Sequence, residues 1–439
     1  MRRYVQRLLP MLAPDRLGGQ TVMAFGLKIW GAAASFALSW LIAHSYGAAG
    51  SGHFGIAVTT VTILSYFVLA GLDYTVIRVA AGDLREGKYA EARGVVFAGA
   101  RAVAIVGPVV IGVLWLLRER LANDVLHQPT MVGMLGIMLW AVVPLALQRV
   151  ASAALRASNR VLWSQLIDGP IGTTLAMLGL ALAVLTGHAT SLRLPAWLYV
   201  AGLTLGCVAG WITFTRASKD WPRAIRASSL PLMLAGLPIL ASNLSNVFTE
   251  WYTTVSLGIH WSAVVVGQYR VAWQFVALAG LVQVATDTII GPRIAAAARV
   301  GAKDEIASIA RKSLILSLGL ASPLFLVLIF APQTVLSIFG PEFAGGATAL
   351  RILAVGQLFR LASGPLGSIL VMTGNQRWVL AYAVFGIVPC VILVALLVPT
   401  YGAIGAAIAT GLTVVIRNMA AAVVVHRVLG IKLLSRKRA

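Results

Sequence analysis

Apolar runs dominate the chain, and most are long enough to cross a hydrocarbon layer about 30 Å thick, which takes roughly 20 residues of helix. Read against charged or Pro/Gly-rich breaks, they predict spans near 18–44, 50–73, 95–117, 130–150, 160–186 and 195–215. A basic segment from Arg216 to Arg226 follows. A second set then runs near 230–258, 262–286, 312–332, 346–373, 378–398 and 402–426. The expectation is an all-α polytopic membrane protein of about twelve helices. Its parts are a basic N-terminus (1–17), an N-lobe (18–215), a linker (216–229), a C-lobe (230–426) and a basic tail (427–439).

Composition sharpens the class. Of 439 residues, 59% are hydrophobic and 11% charged, more apolar material than a water-soluble core can hide. The formal charge of +21 would suggest nucleic acid in a soluble protein, but its placement reads as membrane orientation instead. With the N-terminus inside, 26 of the 35 Lys and Arg fall on cytoplasmic segments, against Arg118, Arg120 and Arg193 on the opposite side. Both termini are therefore expected in the cytoplasm of a bacterial inner (plasma) membrane. No removable signal peptide is expected, because Arg2 to Arg16 are not followed by a short apolar core with a cleavage site. Cys207 and Cys390 both lie in apolar stretches, which supports neither a metal cluster nor a disulfide, and no cofactor is expected.

The halves correspond. Arg78-Val-Ala-Ala is answered by Arg293-Ile-Ala-Ala, and Gly52-His-Phe by Gly267-Gln-Tyr, both at an offset of 215 residues. Equivalent helices then cross in the same direction, which makes the halves parallel repeats and places substrate between two six-helix lobes that rock to give alternating access.

The short motifs, taken in order, resemble those of polysaccharide or O-antigen flippases of the multidrug/oligosaccharidyl-lipid/polysaccharide exporter superfamily. They are Tyr46-Gly-Ala-Ala-Gly-Ser-Gly-His-Phe-Gly55, Ala70-Gly-Leu-Asp-Tyr-Thr-Val-Ile-Arg78, Val266-Gly-Gln-Tyr-Arg-Val-Ala272, Phe339-Gly-Pro-Glu-Phe343 with Leu350-Arg-Ile-Leu353, Met372-Thr-Gly-Asn375, and Tyr401-Gly-Ala-Ile-Gly-Ala-Ala-Ile-Ala-Thr410. The resemblance implies two six-helix lobes around a central cavity and an undecaprenyl-pyrophosphate-linked oligosaccharide as cargo. It also implies a lipid-linked anionic glycan, membrane lipids and glycan-assembly proteins such as a polymerase as partners. Arg270 departs from the small residue expected at its place in that family.

Charges at bilayer depth are costly unless they face protein, water or a partner, so they mark candidate sites. Six cations fall inside the spans: Lys28, Arg101, Arg270, Arg351, Arg360 and Arg417. Arg101 and Arg351 lie close enough to helix ends to snorkel. Lys28 shares one face of the first helix with Thr21, Gly31, Ser35 and Ser39, a face suited either to a cavity or to a close-packed seam. Arg360 has Gln357, Ser363 and Gly364 one turn away and Pro365 to bend the helix. Asn243, Asn246 and Glu250 form a polar stripe on the seventh helix, with Glu250 either a proton or cation site or an arginine's salt partner. Arg270 and Arg417 either bind headgroups or partner a carboxylate. Asp73, Asp168 and Asp287, near cytoplasmic ends, are expected to pair with the basic loops. The cavity candidates are thus Lys28, Asn243, Asn246, Glu250, Arg270, Gln357 and Arg360, with no catalytic and no metal residue.

More embedded cations than deep carboxylates favour an anionic passenger, to which Arg offers a forked set of donors. A multidrug/cation antiporter of the same superfamily would show the reverse balance. A membrane enzyme of glycan assembly, a polymerase or ligase, would need a placed acid and base on a large loop, and the connections here are short.

Overall fold

The structure, a computed structural model, describes the backbone of residues 17–430 and the side chains from Met23 onward, save those of 238, 239, 242, 243, 288 and 289. The expected basic N-terminus and tail, and the Asn243 side chain, therefore lie outside the described residues. Among the described residues there is no strand, and the helices run α1 (Leu17–Leu69), α2 (Leu72–Arg85), α3 (Tyr89–Arg120), α4 (Met131–Met138), α5 (Val142–Ala157), α6 (Val161–Ile167), α7 (Pro170–Leu185) and α8 (Leu194–Ala217). They continue as α9 (Ser229–His260), α10 (Ala263–Arg299), α11 (Lys303–Phe330), α12 (Pro332–Ser337), α13 (Ala347–Ala362), α14 (Leu366–Met372), α15 (Gln376–Phe385) and α16 (Ile387–Leu429).

Nine stretches of the described residues are long and apolar enough to cross a membrane. Two of them, of 47 and 54 residues, are each too long for one crossing and fold back at a glycine. Gly47 (φ 68°, ψ −171°) divides α1, and Gly402 (φ 55°, ψ −131°) divides α16. Both open a Tyr-Gly-Ala-x-Gly motif, and both occupy backbone conformations that only glycine enters without strain. With α9, this accounts for the twelve crossing segments read from the sequence.

The chain folds into two compact units, one of residues 1–45 and 57–240, the other of residues 46–56 and 241–439. The first is centred on Val76, Ala80, Val96, Ala154, Leu155 and Phe214, which bring α2, α3, α5 and α8 together. Its inter-lobe linker is held against α3. The Ile225 amide donates to the Ala90 carbonyl at 3.1 Å, the Arg101 guanidinium to the Ala227 carbonyl at 2.7 Å, and the Ser229 hydroxyl to the Ala98 carbonyl at 2.8 Å. Gly94 leaves the space that the Ile225 carbonyl fills. Arg101, expected to snorkel, instead bonds this strap. Arg351 donates to the Ile329 carbonyl at 3.1 Å.

The second unit is centred on Ile290, Ile294, Ala310, Leu366, Ile369 and Val425, from α10, α11, α14 and α16. It includes the start of the second crossing of α1, where two of the sequence motifs meet. The Ala48 amide, freed at the Gly47 reversal, donates to Glu342 Oε1 at 2.7 Å, so Glu342 caps the new helix. Two turns of helix then pack backbone to backbone. A Cβ on Gly52 would strike the Ala263 carbonyl, and one on Gly267 would strike the Ala48 carbonyl. Each glycine thus receives the carbonyl four residues before its repeat-equivalent, the reciprocity of a local twofold.

Candidate functional site

α13 and α14 would form one crossing but for Ser363-Gly364-Pro365. Gly364 is left-handed (φ 77°), Pro365 supplies no amide, and the helix restarts at Leu366. Pro365 therefore bends the helix as its position predicts. Non-helical backbone at this depth persists only where it is covered by protein or faces a polar cavity. Here it lines a cavity of about 180 Å³ with Asn246, Asp287, Arg360, Tyr382, Arg417 and Asn418. The volume suits a small polar group, not a sugar chain.

Five helices deliver these side chains. Arg417 on α16 donates to Asn246 Oδ1 on α9 at 2.6 Å, which orients the guanidinium. Gln283 on α10 donates to Asp287 Oδ1 at 2.9 Å, and Ser368 on α14 also hydrogen-bonds Asp287. Arg360 on α13 feels the opposite charge of Asp287, and Arg360 and Arg417 are close enough to repel each other. Two cations thus converge with one anion, and an incoming anion would relieve the imbalance.

Of the cavity candidates named from the sequence, Arg360 and Asn246 line this cavity. Gln357, one turn before Arg360, is buried beside Gly280 and does not line it. Asp287 faces the cavity and Arg360; Asp168, in contrast, pairs with Arg156 at 2.5 Å, the pairing with a basic segment expected of it. Asp73 has a buried carboxylate oxygen without a hydrogen-bond partner, in the first turn of α2. Arg417, Asp287 and Tyr382 complete the site and were not among the sequence-derived cavity candidates. The available signal was Arg417 itself, a cation well inside the last apolar run.

Arg270 and Glu250 form a separate pair, Nη1 to Oε1 at 2.5 Å, half-shielded from solvent. The stem of Arg270 lies against Gly55, where a Cβ would come within 2.8 Å of its Cγ. The next residue back, Tyr269, is fully buried and ties α10 to α16 through Thr410 at 3.0 Å. Of the two roles open to Glu250, the structure shows the salt partner. Lys28 belongs to the first unit and is exposed, while Gly31 on its face packs so closely on Pro170 that a Cβ there would come within 3.1 Å of the proline ring. That part of the face is a seam. No group of three or more His, Cys, Asp and Glu residues able to hold a metal occurs among the described residues.

Residues 238–397 match the MatE family model. Two curated relatives from Haloferax volcanii carry flippase names. The chain is 25% identical over 41% of its length to a "Probable low-salt glycan biosynthesis flippase Agl15", and 26% identical over 62% of its length to a "Probable flippase AglR". These alignments span 38% and 57% of the two relatives' own lengths. In fold, the chain matches a lipid II flippase MurJ in an inward closed conformation with a TM-score of 0.74 at 13% identity, covering 92% of this chain and 87% of that one. It also matches a multidrug resistance MATE family transporter in an inward-facing conformation with a TM-score of 0.70 at 14% identity, covering 93% and 98%. The fold is that of these two-lobed transporters, and the matches bear out the motif-based resemblance to flippases of the multidrug/oligosaccharidyl-lipid/polysaccharide exporter superfamily.

Proposed function

We propose that this protein carries an undecaprenyl-pyrophosphate-linked oligosaccharide from the cytoplasmic to the outer leaflet of a bacterial inner membrane, by alternating access, for O-antigen or exopolysaccharide synthesis. The observation that supports this most directly is the convergence of Arg360 and Arg417 on one small polar cavity. Two guanidiniums can share the oxygens of a phosphate or pyrophosphate, while Tyr382 and Asn418 offer neutral donors beside them. The flippase names of the two relatives favour the same class of cargo. The small volume fits engagement of the linkage group, with the sugars held elsewhere.

A deletion strain should accumulate complete lipid-linked repeat units on the inner leaflet. Accumulation of single units facing outward would instead mark a polymerase. Complementation by Arg360→Ala or Arg417→Ala, inserted at the level of the native protein, should restore little or no surface glycan. Normal surface glycan from both would remove the case for this cavity. Lys28→Ala tests the first-unit candidate in the same assay.

One observation favours a cation-coupled multidrug antiporter instead: Asp287 places a carboxylate in the same cavity, and the fold is shared with a multidrug transporter. Under that reading Asp287→Asn raises drug sensitivity and leaves surface glycan intact.

A further inference from the structure

A second cavity, larger than the one at Arg360, lies in the first unit, where α3 ends and α4 and α8 begin. It measures about 440 Å³ and is walled by Trp115, Trp140, Trp197, Arg118 and Arg193. This end of the helices is opposite to the basic connections, so the charge pattern assigns it to the outer interface.

Its construction is specific. Gly133 and Gly136 lie one turn apart on one face of α4. A Cβ on Gly133 would come within 2.7 Å of Arg193 Nε, and one on Gly136 within 3.2 Å of Arg118 Cδ. The two glycines therefore form adjacent notches that seat two guanidinium side chains about one helical turn apart. Arg118 is further fixed over the Trp115 ring, 3.6 Å from its centroid, and donates to the Trp115 carbonyl at 2.8 Å. Its carboxylate neighbour, Glu119, is 3.4 Å away and mostly exposed, too weak a contact to satisfy the charge. Arg193 makes no ion pair among the described residues.

The remaining wall is apolar and continues toward lipid. Trp140 and Trp197 are 56% and 55% exposed, and below Trp197 the exposed Leu205, Val208 and Ile212 make an apolar stripe along the same face of α8. Two seated cations at the rim, tryptophans at interfacial depth and an aliphatic stripe beneath match the three parts of an anionic lipid: phosphate, glycerol region and acyl chains. A glycan site would leave the stripe unused. A plain aromatic girdle would not need two arginines in glycine notches.

We propose that this cavity is a binding site for the phosphodiester headgroup of an anionic glycerophospholipid in the outer leaflet. Arg118 and Arg193 hold the phosphate, and Leu205, Val208 and Ile212 hold a chain. The site involves none of the Arg360 cavity residues and does not depend on the cargo proposed above.

The test uses full-length protein in neutral detergent and short-chain phosphatidylglycerol, with short-chain phosphatidylcholine and inorganic phosphate as comparisons. Binding is read by native mass spectrometry and by the thermal midpoint. Phosphatidylglycerol should bind and raise the midpoint, phosphatidylcholine should do neither, and Arg118→Gln/Arg193→Gln should weaken phosphatidylglycerol binding at least tenfold. Because Arg193 is exposed, Arg193→Gln alone should fold normally and still lose several-fold, while Arg193→Lys should recover part of the loss. Equal retention of both lipids, or undiminished phosphatidylglycerol binding by Arg193→Gln and the double variant, would overturn the proposal. So would equal stabilisation by inorganic phosphate at the same concentration, which would mark an anion site without lipid specificity.

Discussion

Gly47 and Gly402 show how single residues decide the topology. At φ 68°, ψ −171° and φ 55°, ψ −131°, any side chain is strained, and there is little room for one. A Cβ at Gly47 would meet Glu342 Oε1 at 2.9 Å, and one at Gly402 would meet the Trp261 ring at 3.0 Å. Alanine at either position should cost about 1–3 kcal/mol and lower the thermal midpoint of the detergent-solubilised protein. Gly82→Ala, at a helical position with open space around it, should leave the midpoint unchanged or slightly raised. The Arg270–Glu250 pair makes a second residue-scale prediction. Neutralising one partner strands the other in a half-shielded site, so Glu250→Gln or Arg270→Gln alone should destabilise by about 1–3 kcal/mol. The double variant should lose less than the two singles together, and a double-mutant cycle on thermal midpoints reads that difference directly.

At the scale of elements, the hydropathy pattern recovered what depends on local sequence. Crossing segments follow from run length, the α13–α14 break from Pro365, and the breaks at Gly47 and Gly402 from the Pro/Gly-rich gaps between apolar runs. It did not recover what depends on which helices become neighbours. Asp287 was assigned to a basic loop by its distance from a helix end, yet the break after Arg360 carries α14 past it, and Ser368 and Arg360 become its partners. Arg417 was legible as a cation out of place, but its partner Asn246 is 171 residues away and no spacing rule connects them. The linker is a similar case. It reads as a plain basic connection, but residues 221–229 run along α3 because Gly94 is small enough to admit the Ile225 carbonyl. Gly94→Val should therefore lift the strap while leaving the apolar packing of α3 in place. Limited proteolysis of membrane vesicles should then cut between Trp221 and Ser229 several-fold faster than in the native protein, and an unchanged rate would show that the strap does not rely on this contact.

For the whole molecule, sidedness and the repeat belong together, because parallel repeats require that equivalent helices cross in the same direction. The reciprocal Gly52–Gly267 contact supports the repeat from geometry, while the placement of 26 of 35 basic residues supports the sidedness from charge. Neither argument uses the other, so sidedness can be tested by itself. The two native cysteines are buried and should give little background with a membrane-impermeant maleimide. Ser191→Cys sits in the exposed connection before α8, and Val300→Cys, at a position 77% exposed, sits in the basic connection after α10. In spheroplasts, cysteine 191 should label at once and cysteine 300 only after the membrane is permeabilised. The reverse pattern would put the basic connections outside, in conflict with the charge distribution. It would also place the tryptophan-lined Arg118–Arg193 cavity at the cytoplasmic interface, so the same pair of labels fixes the leaflet from which that site would draw its lipid.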